Sequence, residues 1–143
     1  MRTLIIFLMF STNILAQEII GIPKIVDGDT IYINNYKIRL EGIDAPEIQQ
    51  KCKKEKLKIS SIIGYTFYKE YYCGKHSKDN LAVKVKGSKI KCISFTKDRY
   101  KRYLAKCFKD KINLNRWMVR NGYAVAYRRY SKEYIPDEDF AKE

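Results

Sequence analysis

An α+β fold made mostly of strands is the fold class that the sequence predicts. Residues 31–33 are β-prone, residues 36–40 alternate between apolar and cationic side chains, and the two-residue turn signal Asn34-Asn35 joins them into a hairpin. An interrupted strand pattern precedes this hairpin at residues 19–26. Later strand patterns lie at residues 90–95 and 103–108, and helical patterns lie at residues 74–86, 113–121 and 137–143.

The amino terminus has the pattern of an export signal. Arg2 is followed by an apolar run at residues 4–10. Residues 11–16 come next and end in the small residue Ala16, at a plausible cleavage point. This run is too short and wrongly flanked for a membrane-spanning helix. We therefore expect a signal peptide at residues 1–16 and one domain at residues 17–143, secreted or periplasmic, with no membrane span after cleavage. An uncleaved anchor is the alternative.

The chain is strongly basic. It carries 29 lysines and arginines against 16 acidic residues, a formal net charge of +13. Such an excess favours a polyanionic partner, with nucleic acid first and an anionic membrane surface second. Composition does not choose between them, and a lysine-rich coding bias explains part of the excess equally well.

Four cysteines behind an export signal favour disulfides. Three pairings are open. Cys92 and Cys107 flank a strand–turn–strand pattern at nearly equal distances from its turn, which favours a bridge between the two strands and leaves Cys52 to pair with Cys73. A zinc site is the competing interpretation, but the spacings are too wide for paired-cysteine knuckles and His76 has no histidine partner.

Two acidic turns flank the first hairpin. Asp27-Gly28-Asp29-Thr30 precedes it and Asp44-Ala45-Pro46-Glu47 follows it, so the hairpin folds one turn back towards the other. Carboxylates that meet there repel each other, and a hard cation such as Ca²⁺ relieves the repulsion. Arg39 on the adjacent strand offers a planar fork for a phosphate oxygen. Taken singly, each turn is also compatible with an ordinary acidic loop.

A cationic turn joins the strand patterns at residues 90–95 and 103–108. Its residues 96–102 contain four cations and a tyrosine. One interpretation is a solvated hairpin tip. The functional interpretation is a clamp on nucleic acid, with Arg102 on the phosphate at the centre and Tyr100 against a sugar or base. Arg99 and Lys101 would contact flanking phosphates.

The segment that follows the second acidic turn, at residues 49–73, is harder to interpret. Residues 49–58 carry five lysines, and we expect an exposed loop rather than a dedicated nucleic-acid contact. Residues 59–73 are rich in tyrosine and isoleucine. They form either an extra hairpin tied down by Cys52 and Cys73 or a tyrosine surface on which bases stack. Packing on the body of the domain is the expectation that we prefer, and we place His76 on the surface.

The helix predicted at residues 113–121 has clear end signals. Asn113 is its candidate N-cap, Gly122 ends it, and Trp117 is expected in the core. The chain then passes through Tyr127 and two arginines. Those arginines either contact phosphates or are merely solvated, and the sequence leaves both possibilities open.

Four motifs follow one another in this chain: VDGDT, RLEGIDAPE, DRYKRYLA and LNRWMVRNGYAVAYRRYS. In this order and spacing they resemble the staphylococcal nuclease (thermonuclease) family, over about residues 20–140. The resemblance implies a five-stranded OB-fold Greek-key barrel with about three helices. It also implies calcium-dependent hydrolysis of DNA and RNA that leaves 3′-phosphate ends.

The resemblance also assigns roles to residues. Asp29 and Asp44 become calcium ligands together with the backbone carbonyl of Ala45, where the family's best-known member has threonine. Glu47 becomes the residue that handles the attacking water.

Two arginines become the groups that stabilise the transition state. Arg39 and Arg102 take this role, and Tyr127 resembles the family's nucleotide-facing tyrosine, beside the nucleic-acid contacts expected of Arg99 and Tyr100. One departure is Lys101, where the family usually has glycine.

Together these expectations describe a secreted, monomeric, calcium-dependent endonuclease that acts on DNA and RNA and prefers single strands. A nucleic-acid-binding OB module without activity is the alternative, and a cationic adhesion or membrane-active protein is a third. A decayed family member would have lost an essential acid or arginine. This chain retains Asp29, Arg39, Asp44, Glu47 and Arg102, which favours the enzyme.

Overall fold

The computed structural model describes residues 15–59 and 65–143. Strands predominate among them, with three short helices. The strands are β1 (Gln17–Gly21), β2 (Pro23–Ile25), β3 (Thr30–Ile33), β4 (Tyr36–Leu40), β5 (Ile43–Asp44), β6 (Lys51–Ile59), β7 (Tyr65–Tyr72), β8 (Ile90–Lys97), β9 (Tyr103–Lys109), β10 (Ile112–Asn113) and β11 (Val125–Ala126). The helices are α1 (Cys73–Val85), α2 (Leu114–Arg120) and α3 (Ile135–Lys142).

The main sheet is curled, and its two edge strands are consecutive in the chain. Its strand order is β1-β8-β9-β4-β3-β2, and only Ile22 separates β1 at one edge from β2 at the other. Gly21 permits this bend, because a Cβ there would lie 2.6 Å from Cγ2 of Ile33. With β1 and β2 counted as one bent strand, and with β4 parallel to β9, this is the five-stranded Greek-key order of an OB fold. The predicted fold is confirmed.

The barrel interior is filled by the inward-facing side chains of alternating strands. Ile31 and Ile33 of β3 and Ile38 and Leu40 of β4 are at most 1% exposed, as the alternation in the sequence predicts. Burial of this set is the main favourable term in folding. Other fully buried side chains come from α1, α2, β5, β8 and the loop before α3, and include Ile43, Leu81, Ile90, Leu114, Met118, Val119 and Tyr134.

Helix α2 begins where the sequence predicts. The Asn113 side chain accepts a hydrogen bond from the backbone N–H of Arg116 at 3.0 Å, and Gly122 follows the helix with a φ of 71°. Trp117 is half-buried against the core, and its ring lies 5.3 Å from that of Tyr123. The helix therefore packs against the core beside β9.

Helix α3 is held on α2 by a buried carboxylate. Asp137 is 6% exposed and accepts hydrogen bonds from Arg116 at 3.1 Å and Arg120 at 3.2 Å. Just before α3, the ring of Tyr134 is 1% exposed, and its burial raises the pKa of its hydroxyl. The predicted last helix is thus present and packed.

The segment at residues 51–72 corrects two expectations. Residues 49–58 are not a loop, because β6 occupies most of them and pairs with β7 in a separate two-stranded sheet. The described aromatic rings of residues 67–72 are not buried on the domain, since Tyr68 and Tyr72 are 57% and 50% exposed. The extra hairpin that was one of the open alternatives is the structure formed.

Both favoured disulfides are present. Cys92 and Cys107 face each other across β8 and β9 and are fully buried, and Cys52 is bonded to Cys73 at the base of the β6–β7 hairpin. No helix within residues 15–59 and 65–143 has both the length and the apolar character that crossing a bilayer requires. Residues 1–14 of the expected signal peptide lie outside the described residues, so its cleavage stays a prediction.

Candidate active site

Arg39 joins the two acidic turns. It lies in β4, opposite Thr30 of β3, so its guanidinium reaches both the turn before β3 and the short strand β5. One terminal nitrogen contacts Oδ1 of Asp29, and the other donates to Oδ1 of Asp44 at 2.7 Å. Two carboxylates that are distant in sequence therefore converge on one guanidinium, as the hairpin predicts.

The Asp29 carboxylate is the more buried of the two. The residue is 4% exposed, and its Oδ2 accepts a hydrogen bond from the backbone N–H of Ala45 at 2.7 Å. Its Oδ1 also accepts from the Thr30 hydroxyl at 3.1 Å. Asp27 accepts from the Asp29 N–H at 3.0 Å and so shapes the turn, as the sequence predicts for this first acid.

Helix α1 packs directly behind the first acidic turn. A Cβ on Gly28 would lie 2.0 Å from the Ser77 hydroxyl and 2.6 Å from the Ala45 Cβ, so only glycine fits between them. Ser77 is buried, and its hydroxyl is the side-chain atom among the described residues that is buried without a hydrogen-bond partner. Close packing at Gly28 thus holds α1 against the two acidic turns, which the hydrogen bond from the Ala45 N–H to Asp29 joins directly.

The turn between β8 and β9 is organised by Asp98. Its Oδ1 accepts the backbone N–H groups of Tyr100 at 2.9 Å and Arg102 at 3.0 Å, and its Oδ2 accepts from Nε of Arg102 at 2.7 Å. Burial acts to raise the pKa of the Asp98 carboxyl, but the hydrogen bonds and positive charge of Arg102 outweigh it and hold that pKa below its usual value. Asp98 therefore fixes both the backbone and the side chain of Arg102.

Tyr100 stands at the tip of this turn. It is 64% exposed, and its ring centroid lies 4.9 Å from the guanidinium carbon of Arg99 and 5.4 Å from that of Arg102. Lys101 has a φ of 62°, the left-handed conformation that glycine adopts without strain. Lysine at this position, where the resemblance implies glycine, therefore carries backbone strain.

A cavity of about 470 Å³ lies between the Arg39–Asp44 segment and the turn at residues 98–102. Backbone contact places Tyr127 there, because its N–H donates to the Gly42 carbonyl at 2.9 Å. Six of the predicted site residues line the cavity: Arg39, Asp44, Arg99, Tyr100, Arg102 and Tyr127. Asp29 and Ala45 are not among its lining residues. Asp29 instead contacts Arg39, which lines the cavity.

Glu47 is placed differently from the rest. It is exposed, and it is not among the described residues that line the cavity. Its backbone N–H donates to Oε1 of Gln50 at 3.2 Å, and its carbonyl accepts from the Gln50 N–H at 2.7 Å. Gly74 at the start of α1 packs on that carbonyl so closely that a Cβ there would overlap it. The backbone of Glu47 is fixed, while its carboxylate lies outside the cavity.

The oxygen ligands that the two acidic turns offer suit a hard cation. Asp29 and Asp44 bring two negative charges against the one positive charge of Arg39, which leaves an excess of one negative charge. Carboxylate and carbonyl oxygens are the ligands that Ca²⁺ takes. No cluster of three or more histidine, cysteine or acidic side chains suited to a metal occurs in the described part of the chain. Any bound ion would therefore need further oxygens from water or substrate.

Sequence reasoning missed three residues that shape this region. Asp98 was visible in the DRYKRYLA motif, and its spacing of four from Arg102 was the signal. Tyr130 also lines the cavity, with its ring 4.8 Å from that of Tyr127. Asn115 is fully buried. Its side-chain oxygen accepts from the Cys107 N–H and its side-chain nitrogen donates to the carbonyl of Glu41, which lines the cavity, so α2 is fixed beside the site.

The sequence does not decide whether the two arginines after Tyr127 contact phosphates or are only solvated. Arg128 donates to Glu138 of α3 at 3.2 Å, which gives this side chain a structural partner. Arg129 lies 5.9 Å from the ring centroid of Tyr130. His76 is on the surface, as predicted, and its ring is 5.6 Å from that of Tyr123.

Comparison with known proteins shows which family has this sequence pattern. A model of the family described as staphylococcal nuclease homologue matches residues 37–143. A protein of Escherichia coli O157:H7 named as an uncharacterized endonuclease is 30% identical over 137 residues, which cover 92% of this chain and 76% of that protein. A protein of the same name from Haemophilus influenzae is 32% identical over 137 residues, covering 92% of this chain and 65% of that protein.

A third relative has a different name. The succinoglycan biosynthesis protein ExoI of Rhizobium meliloti is 35% identical over 112 residues, 77% of this chain, and this chain spans only 53% of its length. The family match includes all the residues that line the cavity, from Arg39 to Tyr130. The chain belongs to the staphylococcal nuclease family.

Proposed function

We propose that this protein is an exported, calcium-dependent endonuclease that hydrolyses phosphodiester bonds in DNA and RNA. The observation that carries the proposal is the convergence of Asp29 and Asp44 on Arg39, at a cavity that Arg102 lines from the opposite turn. A phosphate held between two guanidiniums, with an anionic cluster beside one of them, is an arrangement suited to phosphoryl transfer. Family membership and the two relatives named as endonucleases support the same activity.

The two arginines bind the scissile phosphate and stabilise charge. Arg39 and Arg102 donate to its non-bridging oxygens, and their hydrogen bonds strengthen as negative charge builds up on the five-coordinate phosphorus. Each guanidinium is oriented by carboxylates, Arg39 by Asp29 and Asp44 and Arg102 by Asp98, so little reorganisation is needed when substrate arrives.

Glu47 serves as the general base. It accepts a proton from the water whose oxygen forms a bond to phosphorus, and the bond from phosphorus to the 5′ oxygen breaks. The leaving oxygen takes a proton from solvent, and the other product ends in a 3′-phosphate. Because the Glu47 carboxylate lies outside the cavity here, substrate must draw it in, which the exposed side chain on a fixed backbone allows.

Calcium belongs to the same proposal. Asp29, Asp44 and the carbonyl of Ala45 would hold it, since they are the hard oxygens of the two acidic turns. When bound, the ion polarises a phosphate oxygen and neutralises charge. The residues themselves keep the turn in place, through the hydrogen bond from the Ala45 N–H to Asp29.

Single-stranded substrate fits the rest of the cavity. Tyr100 is exposed at its rim and Tyr127 and Tyr130 line it, so unstacked bases find aromatic faces there. Arg99 beside Tyr100 adds a contact to a flanking phosphate. The net charge of +13 attracts the polyanion over a longer range. The two disulfides agree with function outside the reducing cytosol.

A digest of denatured DNA by the purified protein tests the proposal. We expect degradation with calcium and none with a chelator. Glu47→Gln should lower the rate by at least two orders of magnitude while binding in chelator persists. Glu18→Gln is the matched control, because Glu18 pairs with Lys91 at the surface of the β1–β8 ladder.

Each other outcome has a defined meaning. Equal degradation with calcium and chelator would refute the calcium site. Binding of DNA without any degradation would favour the non-catalytic OB module, which the position of Glu47 outside the cavity also favours.

A further inference from the structure

We propose that the Cys52–Cys73 disulfide positions the proposed base Glu47 and makes hydrolysis depend on the oxidation of that one bond. The inference rests on the proposed function, because it concerns control of the same site. With the bond reduced, the protein keeps its fold and loses most of its rate. The effect of the bond on the Glu47 segment can nevertheless be measured without any cleavage.

The disulfide contacts the turn that holds Glu47. Gln50 closes this turn, because its side-chain Oε1 accepts from the Glu47 N–H at 3.2 Å and its own N–H donates to the Glu47 carbonyl at 2.7 Å. The carbonyl oxygen of Gln50 lies 3.4 Å from the Cys73 sulfur. The bonded sulfur therefore packs on the residue that fixes the backbone of Glu47.

Helix α1 contacts the same turn at a second point. Gly74 lies so close to the Glu47 carbonyl that a Cβ there would overlap it. Cys73 immediately precedes Gly74, and Cys52 follows Glu47 by five residues, so the bond links the two segments that meet at this carbonyl. Without the bond, only noncovalent contacts hold them together. A displacement of about 1 Å in a catalytic group can cost roughly a hundredfold in rate.

The two disulfides differ in how accessible they are. Cys92 and Cys107 are each 0% exposed between β8 and β9. Cys73 is 6% exposed, and Cys52 on the hairpin is partly exposed. Thiol–disulfide exchange requires contact between an attacking thiolate and a sulfur. A reductant should therefore open Cys52–Cys73 in the folded protein and leave the buried bond closed.

The reaction is thiol–disulfide exchange with a dithiol reductant. One thiolate of the reductant attacks the Cys52 sulfur, the bond to the Cys73 sulfur breaks, and the Cys73 thiolate takes up a proton. The second thiol of the reductant then displaces the Cys52 sulfur, which also takes up a proton, and the reductant leaves as a cyclic disulfide. Two electrons thus pass from the dithiol to the protein, and a disulfide oxidant reverses the same steps.

This dependence suits a nuclease that is exported. Thiols of the cytosol keep disulfides reduced, whereas oxidising compartments outside it let them form and persist. The producing cell would therefore carry the slow, reduced form beside its own nucleic acid. The fast form would arise only after transport.

The test compares oxidised and reduced protein on denatured DNA with calcium. Dithiothreitol is added without denaturant, and free thiols are identified by alkylation with N-ethylmaleimide and mass spectrometry after the reductant is removed. We expect free thiols at Cys52 and Cys73 alone, a kcat lowered about ten- to a hundredfold, and a KM changed by less than about twofold. Cys52→Ser/Cys73→Ser should have the low kcat from the outset and should not respond to dithiothreitol.

Glu47→Gln separates positioning of the base from a general loss of structure. If the bond acts through Glu47, the residual rate of Glu47→Gln should be the same in the oxidised and reduced forms. Gln50→Ala keeps the bond but removes the acceptor for the Glu47 N–H, so it should lower kcat about three- to tenfold with KM unchanged. Gln49→Ala, at the exposed position before it, is the matched control and should change neither quantity.

Hydrogen exchange provides a measurement that needs no activity. Reduction should speed the exchange of the Glu47 and Gln50 amides at least about tenfold and leave the amides of β3 and β4 unchanged. Melting curves establish which proteins are folded. If Cys52→Ser/Cys73→Ser does not fold, the protein reduced under native conditions takes its place in each comparison.

Three results would overturn the inference: an equal kcat in the oxidised and reduced protein, a fall by the same factor in Glu47→Gln, or unchanged exchange at Glu47 and Gln50. Failure of the oxidised protein to degrade DNA with calcium would refute the proposed nuclease instead. The exchange measurement would then still decide whether the disulfide holds the Glu47 turn.

Discussion

The candidate site has two halves that are built in different ways. The strand half consists of Asp29 just before β3, Arg39 in β4, which pairs with β3, and Asp44 in β5, which pairs with β11. The loop half consists of residues 98–102, which extend beyond the end of the β8–β9 ladder. In both halves an arginine is oriented by carboxylates, yet the source of its rigidity differs.

The difference lies in how many contacts fix each arginine. Arg39 is 14% exposed at its side chain and bridges two carboxylates that belong to separate turns. Arg102 is 23% exposed, and the carboxylate that holds it belongs to its own turn, four residues earlier. The strand half is therefore a tertiary arrangement, whereas the loop half is a local one that can be altered without unfolding the barrel.

Replacing each arginine by lysine should give the largest effect. Arg39→Lys keeps the charge but cannot bridge both carboxylates, so we expect kcat/KM on denatured DNA to fall about a thousandfold, with a lower melting temperature. Arg102→Lys should lower kcat/KM about a hundredfold and leave the melting temperature nearly unchanged. Single-turnover kinetics and thermal melts of both proteins provide the measurement.

Lys89→Arg is the control for this pair, because it makes the reverse exchange at a surface position remote from residues 98–102. Equal melting temperatures for Arg39→Lys and the unsubstituted protein would contradict the view that Arg39 has a tertiary role.

Asp98→Asn comes next in expected size. The amide keeps an acceptor for the backbone N–H groups but loses the charge that orients Arg102, so we expect kcat/KM to fall roughly ten- to thirtyfold. We also expect a loss of about 1–2 kcal/mol in the free energy of unfolding. Asp79→Asn removes the same charge from an exposed pair with Lys75 and should change neither quantity.

The pH dependence of this variant gives a separate check. The pKa of Asp98 is lowered in the folded protein, so its contribution to stability is fully present above its unfolded pKa of about 3.9. It is lost as the pH falls through the lower folded pKa. The gap in melting temperature between the unsubstituted protein and Asp98→Asn should thus be constant from pH 7 to 5 and shrink below pH 4. A gap that widens on acidification would rule out this role.

The sequence predicted the strand half better than the loop half. Alternation along β3 and β4 fixes which side chains face inward, so the convergence of Asp29 and Asp44 followed from the hairpin alone. The role of Asp98 did not follow, because hydrogen bonds to backbone N–H groups leave no periodic pattern. The position of the Glu47 carboxylate was equally out of reach, since it depends on the turn to Gln50.

The β6–β7 hairpin shows a further limit of sequence reasoning. Strand β6 reads KCKKEKLKI, and lysine is depleted in strands, so composition favours a loop there. The strand forms because β7 offers a β-prone partner rich in tyrosine and the Cys52–Cys73 bond holds the base together. Pairing partners and disulfides act across the chain, and local propensity does not contain them.

The smallest expected effect concerns strain in the loop half. Lys101 has a φ of 62°, which costs a residue with a side chain about 1–2 kcal/mol. Glycine removes this strain but adds disorder to the unfolded chain, so Lys101→Gly should stabilise the protein by about 0.5–1 kcal/mol and raise the melting temperature by about 2–4 °C. Lys101→Ala removes the same charge, keeps the strain and should bring no gain.

The strand half supplies the matched comparison for this prediction. Asn34 in the β3–β4 turn has a φ of 53°, and asparagine tolerates the left-handed region through local hydrogen bonds. Asn34→Gly should therefore change the melting temperature by less than Lys101→Gly does. Equal gains at both positions would mean that the loop half stores no particular strain, and that its lysine is accommodated as easily as the asparagine of the strand half.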